Sequence, residues 1–409
     1  MDDFNLIVAL LGALTLGLGL LSKRLQQSIL PETVLAFFFG ILLGPGMLGL
    51  IDLSDYGNRA LILEKLARLT LGIGLVSVAL RIPKTYPREN WRSMVVLIGL
   101  GMLLMWVTST ALVYFILGLP FWMAALIGAI ITPTDPIAAS PIVTGSTAEQ
   151  NLPERIRHAL SFESGANDGL SYLFIFLPFL ILTRSVEEAV SHWLIHTLLW
   201  EIGVATVFGL VLGAVTGKLL LKAEEHDFIH EKWRLVYTVA LALLAVGVGR
   251  IIGSDELLLV FASGAAFTQV VSQDERKHEE SGQEAINRFF AVPIFVVFGT
   301  ALPWQGWQEL GMSGVLLALA VLLFRRIPVL LLLLPLLSNL KRLPDALFLG
   351  WFGPIAVAAI YYANLMEHRL NEPLIWTVTS LVVAVSVVVH GMSAVPLTRL
   401  YGRKTEQQD

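Results

Sequence analysis

Residues 130–140 read IITPTDPIAAS, and they interrupt an apolar stretch that runs from Phe121 to about Val143. The quoted residues hold Thr132, Pro133, Thr134, Asp135 and Pro136 in a row. Pro136 has no N–H to donate, and both proline rings clash with the turn before them. A helix entering this stretch is therefore predicted to unwind near Asp135. Unwound backbone and a carboxylate are unremarkable in a surface loop. At membrane depth they are tolerated only where protein buries them or they line a water-filled cavity. The compartment decides the reading.

Composition settles the compartment. Of the 409 residues 56% are hydrophobic and 15% charged, with a mean hydropathy of +0.73. A soluble chain carries about 25% charged residues. Here apolar runs of near 20 residues recur, each enough to cross a hydrocarbon core of about 30 Å as a helix. The expectation is an all-α polytopic membrane protein whose first partner is the lipid bilayer. A net charge of −4 and a pI of 6.1 give no reason to expect a nucleic-acid partner. The absence of cysteine excludes a disulfide framework and a thiolate metal site. The first apolar run, FNLIVALLGALTLGLGLLS at 4–22, follows Asp2 and Asp3 and lacks a basic n-region. It is read as a spanning helix rather than a cleaved signal.

Thirteen transmembrane helices are predicted, at about 4–22, 29–50, 60–80, 93–117, 121–145, 158–183, 193–220, 235–252, 256–273, 285–302, 313–337, 344–366 and 373–398. The one long polar connection is AEEHDFIHEKWR, 223–234, read as a solvated hairpin with a histidine pH sensor as the alternative. Placing the N-terminus outside puts 20 of the 28 Lys and Arg residues in or beside cytoplasmic loops. It leaves Arg59, Lys65, Arg184, Arg250 and Arg369 on the other side. That asymmetry argues for an outside N-terminus, a cytoplasmic C-terminus and an odd helix count. Arg68, Arg325 and Arg326 remain, all within predicted spans.

With the seventh helix as a linker, the chain divides into a first repeat at 1–183, a linker helix and loop at 184–233, a second repeat at 234–401 and a short cytoplasmic tail at 402–409. The two six-helix halves would be inverted in the membrane. The fifth helix of the first half carries TPTDP; the fifth of the second half carries GWFGP, 350–354. Pro133 and Pro136 break the one, and Gly350, Gly353 and Pro354 are expected to break the other. Paired breaks of this kind point to a transporter's substrate site at the midplane.

The span after the first break opens with SFESGANDGLSY, 161–172. Glu163 and Asn167 share a helix face, and Asp168 lies about 100° round from Asn167. Asp135 joins Glu163 and Asp168 near one depth, with Arg325 and Arg326 in LLFRRIPVLLLLL as the cationic partners. A buried carboxylate without a partner costs several kcal/mol or is neutralised. Glu163 is therefore assigned to an ion pair with one of the two arginines. Asp135 and Asp168 are left to hold a proton or a cation. Glu64 and Arg68 are read as a local i,i+4 pair, with Glu64 also a candidate for lining a cavity; Glu201 is read as orienting the linker helix, and His390 as a hydrogen-bonded packing residue.

TPTDP, ESGANDG, FRRIPV and GWFGPIAVAAIYYA, in that order and on those helices, resemble the monovalent cation/proton antiporter superfamily. The similarity is to NhaP-like prokaryotic sodium/proton antiporters and fungal plasma-membrane sodium/proton exchangers. It extends along the whole chain, for LEKLARLTLGIGLVSVALRIPKTY and FFAVPIFVVFG look like that family's third and tenth helices. The resemblance implies an antiporter rather than an enzyme, without a cofactor, in the plasma (cell inner) membrane. It implies a homodimer in which a core domain moves against a dimerisation domain, with helices 5 and 12 unwound and crossing. Carried over by motif, Asp168 is the main cation- and proton-binding carboxylate and Asp135 its partner, the two together binding Na⁺ or Li⁺. Thr134 and Ser164 are oxygen ligands, and Asn167 is a supporting hydrogen bonder. Glu163 pairs with Arg325, or with Arg326 in its place. Asn167 beside Asp168 resembles the electroneutral branch, implying one cation per proton. Many relatives carry GLRG on helix 12 where this chain has WFGP, so a role for that arginine is not carried over. Oxygen ligands suit Na⁺ or Li⁺, and K⁺ differs only in cavity size. The alternatives weighed are a monovalent cation channel, which wants a continuous pore, and an intramembrane aspartyl protease, whose aspartates sit in other motifs.

Overall fold

A computed structural model describes residues 2–230, 233–271, 273–338, 340 and 342–406. Its side chains are described over 5–230, 233–271, 282–338, 340 and 342–404. Lys232 and Lys341, two of the 20 cationic residues counted to the cytoplasmic side, lie outside the described residues, as do tail residues 407–409 and the side chains of Arg276 and Lys277. Among the described residues the fold is helical throughout, with no strand.

The helices are α1 Asp2–Leu25, α2 Glu32–Leu43, α3 Arg59–Arg81, α4 Tyr86–Val95, α5 Met102–Leu117, α6 Phe121–Ile130, α7 Ser140–Val143, α8 Gly145–Asn151, α9 Glu154–Thr183 and α10 Val186–His192. There follow α11 Ala205–Glu225, α12 Trp233–Ile251, α13 Glu256–Val270, α14 Gln273–Thr300, α15 Trp304–Phe324, α16 Ile327–Leu333, α17 Leu343–Trp351, α18 Val357–Leu370 and α19 Pro373–Glu406. Two π-helical stretches, Val96–Gly101 and Trp193–Val204, join α4 to α5 and α10 to α11 without a break. Every predicted span falls on one of these helices or on an interrupted pair. Among the described residues seven helical stretches are long and apolar enough to cross a membrane, and three shorter apolar helices accompany them.

Local chemistry sets the boundaries. Asn58 caps α3 by accepting from the Leu61 N–H at 3.2 Å, and Asp255 caps α13 by accepting from Leu258 at 2.6 Å. α3 is the axis of the molecule. It packs against α12, α13, α14 and α18, and every residue from Thr70 to Arg81 is buried. A helix buried all round has no polar face to offer. By contrast α1 shows Leu16 and Leu20 at 72% and 89% exposure, a surface suited to lipid. The tightest helix pair is α11 with α13, where a Cβ on Gly213 would stand 1.9 Å from the Ser263 carbonyl oxygen. Small residues allow such approach in apolar surroundings.

Both predicted breaks are present. α6 ends at Ile130 and regular helix resumes only at Ser140; α17 ends at Trp351 and α18 begins at Val357. One expectation is corrected. Gly350 breaks nothing, because it lies within α17. Its small size instead admits Ile327, whose Cα would be 3.0 Å from a Cβ there.

Candidate ion-binding site

The two interruptions meet. The Asp135 N–H donates to the Pro354 carbonyl oxygen at 2.8 Å, joining one break to the other. The Asp135 carboxylate spans both. Its Oδ1 accepts from the N–H groups of Ile137 (2.9 Å) and Ala138 (2.8 Å). Its Oδ2 accepts from those of Val357 (2.5 Å) and Ala358 (3.2 Å), at the start of α18. One carboxylate thus satisfies four backbone donors on two chain segments, where helix starts carry positive partial charge.

Arg325 serves the opposite ends. Its Nη1 donates to the carbonyls of Ile131 (3.0 Å), Thr132 (2.6 Å) and Pro133 (3.2 Å), just past α6, and its Nη2 donates to the Gly353 carbonyl, just past α17. Helix C-termini carry negative partial charge, so a guanidinium there is favourable. Space for it depends on Gly353: a Cβ would come within 2.4 Å of Arg326 Cδ and 3.0 Å of Arg325 Nη2. Gly353 therefore belongs at the break, as expected of it and of Pro133, Pro136 and Pro354.

The ion pair resolves in favour of Arg326. Its Nη1 and Nη2 both donate to Glu163, the latter to Oε2 at 2.8 Å, and its Nε donates to the Leu349 carbonyl at 2.7 Å. Both partners are 1% exposed. Both terminal nitrogens of Arg325 donate to backbone carbonyls, and the neighbouring arginine takes the carboxylate. Bidentate pairing of this sort fixes geometry as well as charge.

Asn167 holds Thr134 from both sides. Its Nδ2 donates to Thr134 Oγ1 at 2.8 Å, and its Oδ1 accepts from the Thr134 N–H at 3.2 Å. This ties the first break to α9 one residue before Asp168. Ser164, one turn earlier on α9, donates to the Ser161 carbonyl at 3.3 Å. Asp168 differs from all of these. It is completely buried, and neither carboxylate oxygen has a hydrogen-bond partner among the described residues. Only its main chain is engaged, the carbonyl accepting from the Tyr362 hydroxyl at 2.7 Å. A buried carboxylate without donors is costly in its bare charged form. Such a group requires a proton or a cation.

Tyr362 was not singled out by sequence reasoning, although the tyrosine pair of AIYYA directly follows the second break. A second group of polar side chains was also missed. Arg250 stands 3.6 Å from Glu64 and 3.7 Å from Glu256, and the Tyr361 hydroxyl donates to Glu256 at 2.8 Å. The expected Glu64–Arg68 pair is thereby corrected. The ion partner of Glu64 among the described residues is Arg250, which α12 brings alongside α3, while Arg68 Nε has no hydrogen-bond partner there. The Glu201 carboxylate accepts from the Tyr172 hydroxyl at 3.0 Å, and its main-chain carbonyl accepts from the Asp255 N–H at 3.0 Å. His390 is a packing residue as read, its Nδ1 3.0 Å from both oxygens of Ser386.

With two interrupted helices neutralised at their ends and one bare carboxylate beside them, the arrangement invites comparison with known proteins. The sequence model described as "Sodium/hydrogen exchanger, transmembrane" matches residues 7–400. The chain belongs to the sodium/hydrogen exchanger family. Among curated exchangers, the Na⁺/H⁺ antiporter 2 of Zygosaccharomyces rouxii is 32% identical over 399 residues, covering 90% of this chain and 49% of that protein. The Na⁺/H⁺ antiporter of Saccharomyces cerevisiae is 30% identical, covering 91% and 41%. The chain thus spans about half the length of these fungal relatives. A K⁺/H⁺ antiporter NhaP2 of Shewanella sp. (strain ANA-3) is 25% identical, covering 98% of this chain and 67% of that protein. In three dimensions the chain is similar to the sodium proton antiporter MjNhaP1 from Methanocaldococcus jannaschii at pH 8. The TM-score is 0.76 at 19% identity, over 98% of this chain and 99% of the other. That likeness establishes a shared helical fold.

Proposed function

We propose that this exchanger-family chain moves one Na⁺ or Li⁺ ion across the membrane in exchange for one proton, by alternating access around Asp168. The observation that carries the proposal is the bare, wholly buried Asp168 carboxylate next to two interrupted helices that touch. In water-excluded surroundings a lone carboxylate is neutralised by a proton or by a hard monovalent cation, and one excludes the other. Thr134 Oγ1 and Ser164 Oγ supply further oxygen ligands. Asp135 adds negative charge to the site while its own oxygens hold the broken ends, and Asn167 sets the position of Thr134. Glu163 and Arg326 lock α9 to the chain between α15 and α16. The names of the fungal relatives support Na⁺ as cargo, and that of the Shewanella relative keeps K⁺ in view.

The same proposal includes thirteen spans in two inverted repeats at 1–183 and 234–401 around a linker at 184–233. It includes an outside N-terminus, a cytoplasmic C-terminus, a homodimer and residence in the plasma membrane. The test is dissipation of a pH gradient in liposomes that contain the purified chain. Addition of Na⁺ or Li⁺ should collapse the gradient with wild type and not with Asp168→Ala, and K⁺ in the same assay sets selectivity. An Asp168→Ala variant that exchanges as fast as wild type would sink the proposal. Current carried under voltage clamp would favour the channel reading.

A further inference from the structure

The stretch from Val186 to Glu225 holds two imidazoles that cation exchange does not use. His192 ends α10, and His196 follows in the π-helical segment Trp193–Val204. Their ring centroids lie 4.6 Å apart with the planes inclined by 31°. The His196 side chain is 50% exposed, and His192 Nδ1 is shielded yet has no hydrogen-bond partner among the described residues. Both rings line a shallow surface depression together with Arg184, Glu188 and Ser191.

The π winding brings a carboxylate to this pair. Glu201 follows His192 by nine residues, and at about 100° per residue an α-helix would place the two on opposite faces. Turns closed by i→i+5 hydrogen bonds instead stack residues four and five apart. Accordingly His196 Nδ1 lies 3.6 Å from Glu201 Oε1. An imidazole with one ring nitrogen turned to a carboxylate presents the other as a metal ligand. Two histidines at i and i+4 on one helix face form the spacing with which zinc-binding helices hold their ion.

We propose that His192 and His196 bind a divalent transition-metal ion such as Zn²⁺ or Cu²⁺, one ring nitrogen from each, with Glu201 orienting His196 and water completing the coordination. Among the described residues no group of three metal-ligating side chains occurs. The proposed site thus has two protein ligands and would leave the remaining positions to water, as an exchangeable rather than a closed structural site does. It is coupled to the helix that carries Asp168. The Glu201 oxygen nearest His196 also accepts from Tyr172, one turn beyond Asp168 on α9.

The experiment is titration of the purified full chain, carrying no histidine tag, with ZnCl₂ by calorimetry, and with Cu²⁺ by electron paramagnetic resonance. Wild type should bind about one ion per chain and show imidazole nitrogen couplings. His192→Ala and His196→Ala should each weaken binding at least about tenfold, and the double variant should lose it, on the two-ligand geometry. Glu201→Gln should weaken it less, in keeping with an orienting role. Without metal, thermal midpoints and exchange rates of the histidine variants should match wild type, since neither residue touches the exchange site. Lack of binding by wild type at about 100 μM metal, or binding retained by the double variant, would overturn the proposal. Because the readout is binding, it stands apart from whether the chain exchanges cations.

Discussion

Asp135 and Asp168 are the same residue in the same buried layer, and the chain treats them in opposite ways. Asp135 meets four backbone N–H groups on two chain segments. Asp168 meets none. Hydrogen bonds from N–H donors favour the charged form of a carboxylate, whereas bare burial disfavours it. One aspartate is thereby tied into the backbone and the other left bare, the difference on which the proposed carrier role of Asp168 rests. The residue type carries no hint of the difference; the donors around it do. A second contrast runs in parallel. Arg325 spends its guanidinium on main-chain carbonyls and Arg326 on Glu163, although the two are adjacent in sequence.

The largest effect expected is on transport. Asp168→Asn removes the proposed carrier without removing a hydrogen bond made by its carboxylate among the described residues. Liposome exchange should fall by at least about a hundredfold, about 2.7 kcal/mol, while the thermal midpoint stays near wild type. If stability collapses along with transport, the contrast between the two aspartates is lost.

Next comes the ion pair. Arg326→Met leaves Glu163 buried and charged, which costs about 3–5 kcal/mol, and the double variant with Glu163→Gln should recover most of it. Thermal unfolding in detergent measures both, and equal damage in the single and double variants would contradict the pairing.

Asp135→Asn sharpens the main comparison. An amide keeps one acceptor oxygen and turns two N–H donors toward backbone N–H groups, so two of the four donors lose their partner. A destabilisation of about 2–4 kcal/mol is expected, on the cost of orphaned buried donors. A variant with wild-type stability and lost exchange would move Asp135 from fixture to carrier.

The smallest effect is expected at Asn167→Ala, which frees Thr134 from two hydrogen bonds. About 1–2 kcal/mol of stability should go. The cation KM should rise several-fold with a smaller change in kcat, because Thr134 is displaced rather than removed.

Much of this arrangement was legible in the sequence. Pro133, Pro136 and Pro354 announce the interruptions because proline cannot continue a helix, and the apolar runs announce the helices. Glu163, Asn167 and Asp168 could be placed on one helix by spacing alone. What was not legible depended on direction. Adjacent arginines point about 100° apart on a helix, and which of them faces Glu163 is set by where the α6 and α17 carbonyls end. Gly350 and Gly353 read alike in GWFGP, yet only Gly353 stands where the chain leaves the helix. The Glu64–Arg250 contact links α3 to α12, far apart in sequence, and neither segment alone signals it. The π-helical stretches have no marker in the residue pattern, so the column formed by His196 and Glu201 was out of reach.

The capping of the crossing has a consequence for how the membrane voltage acts on the molecule. Asp135 and Arg325 each join the two breaks, Asp135 through backbone N–H groups and Arg325 through backbone carbonyls, and in the proposed cycle neither binds the transported ion. In the proposed cycle the only charge that changes is the one on Asp168, masked outward by a cation and inward by a proton, or the reverse. A loaded site then crosses with the same net charge in either direction. The resting potential would neither drive the exchange nor oppose it, and the two ion gradients alone would set its direction.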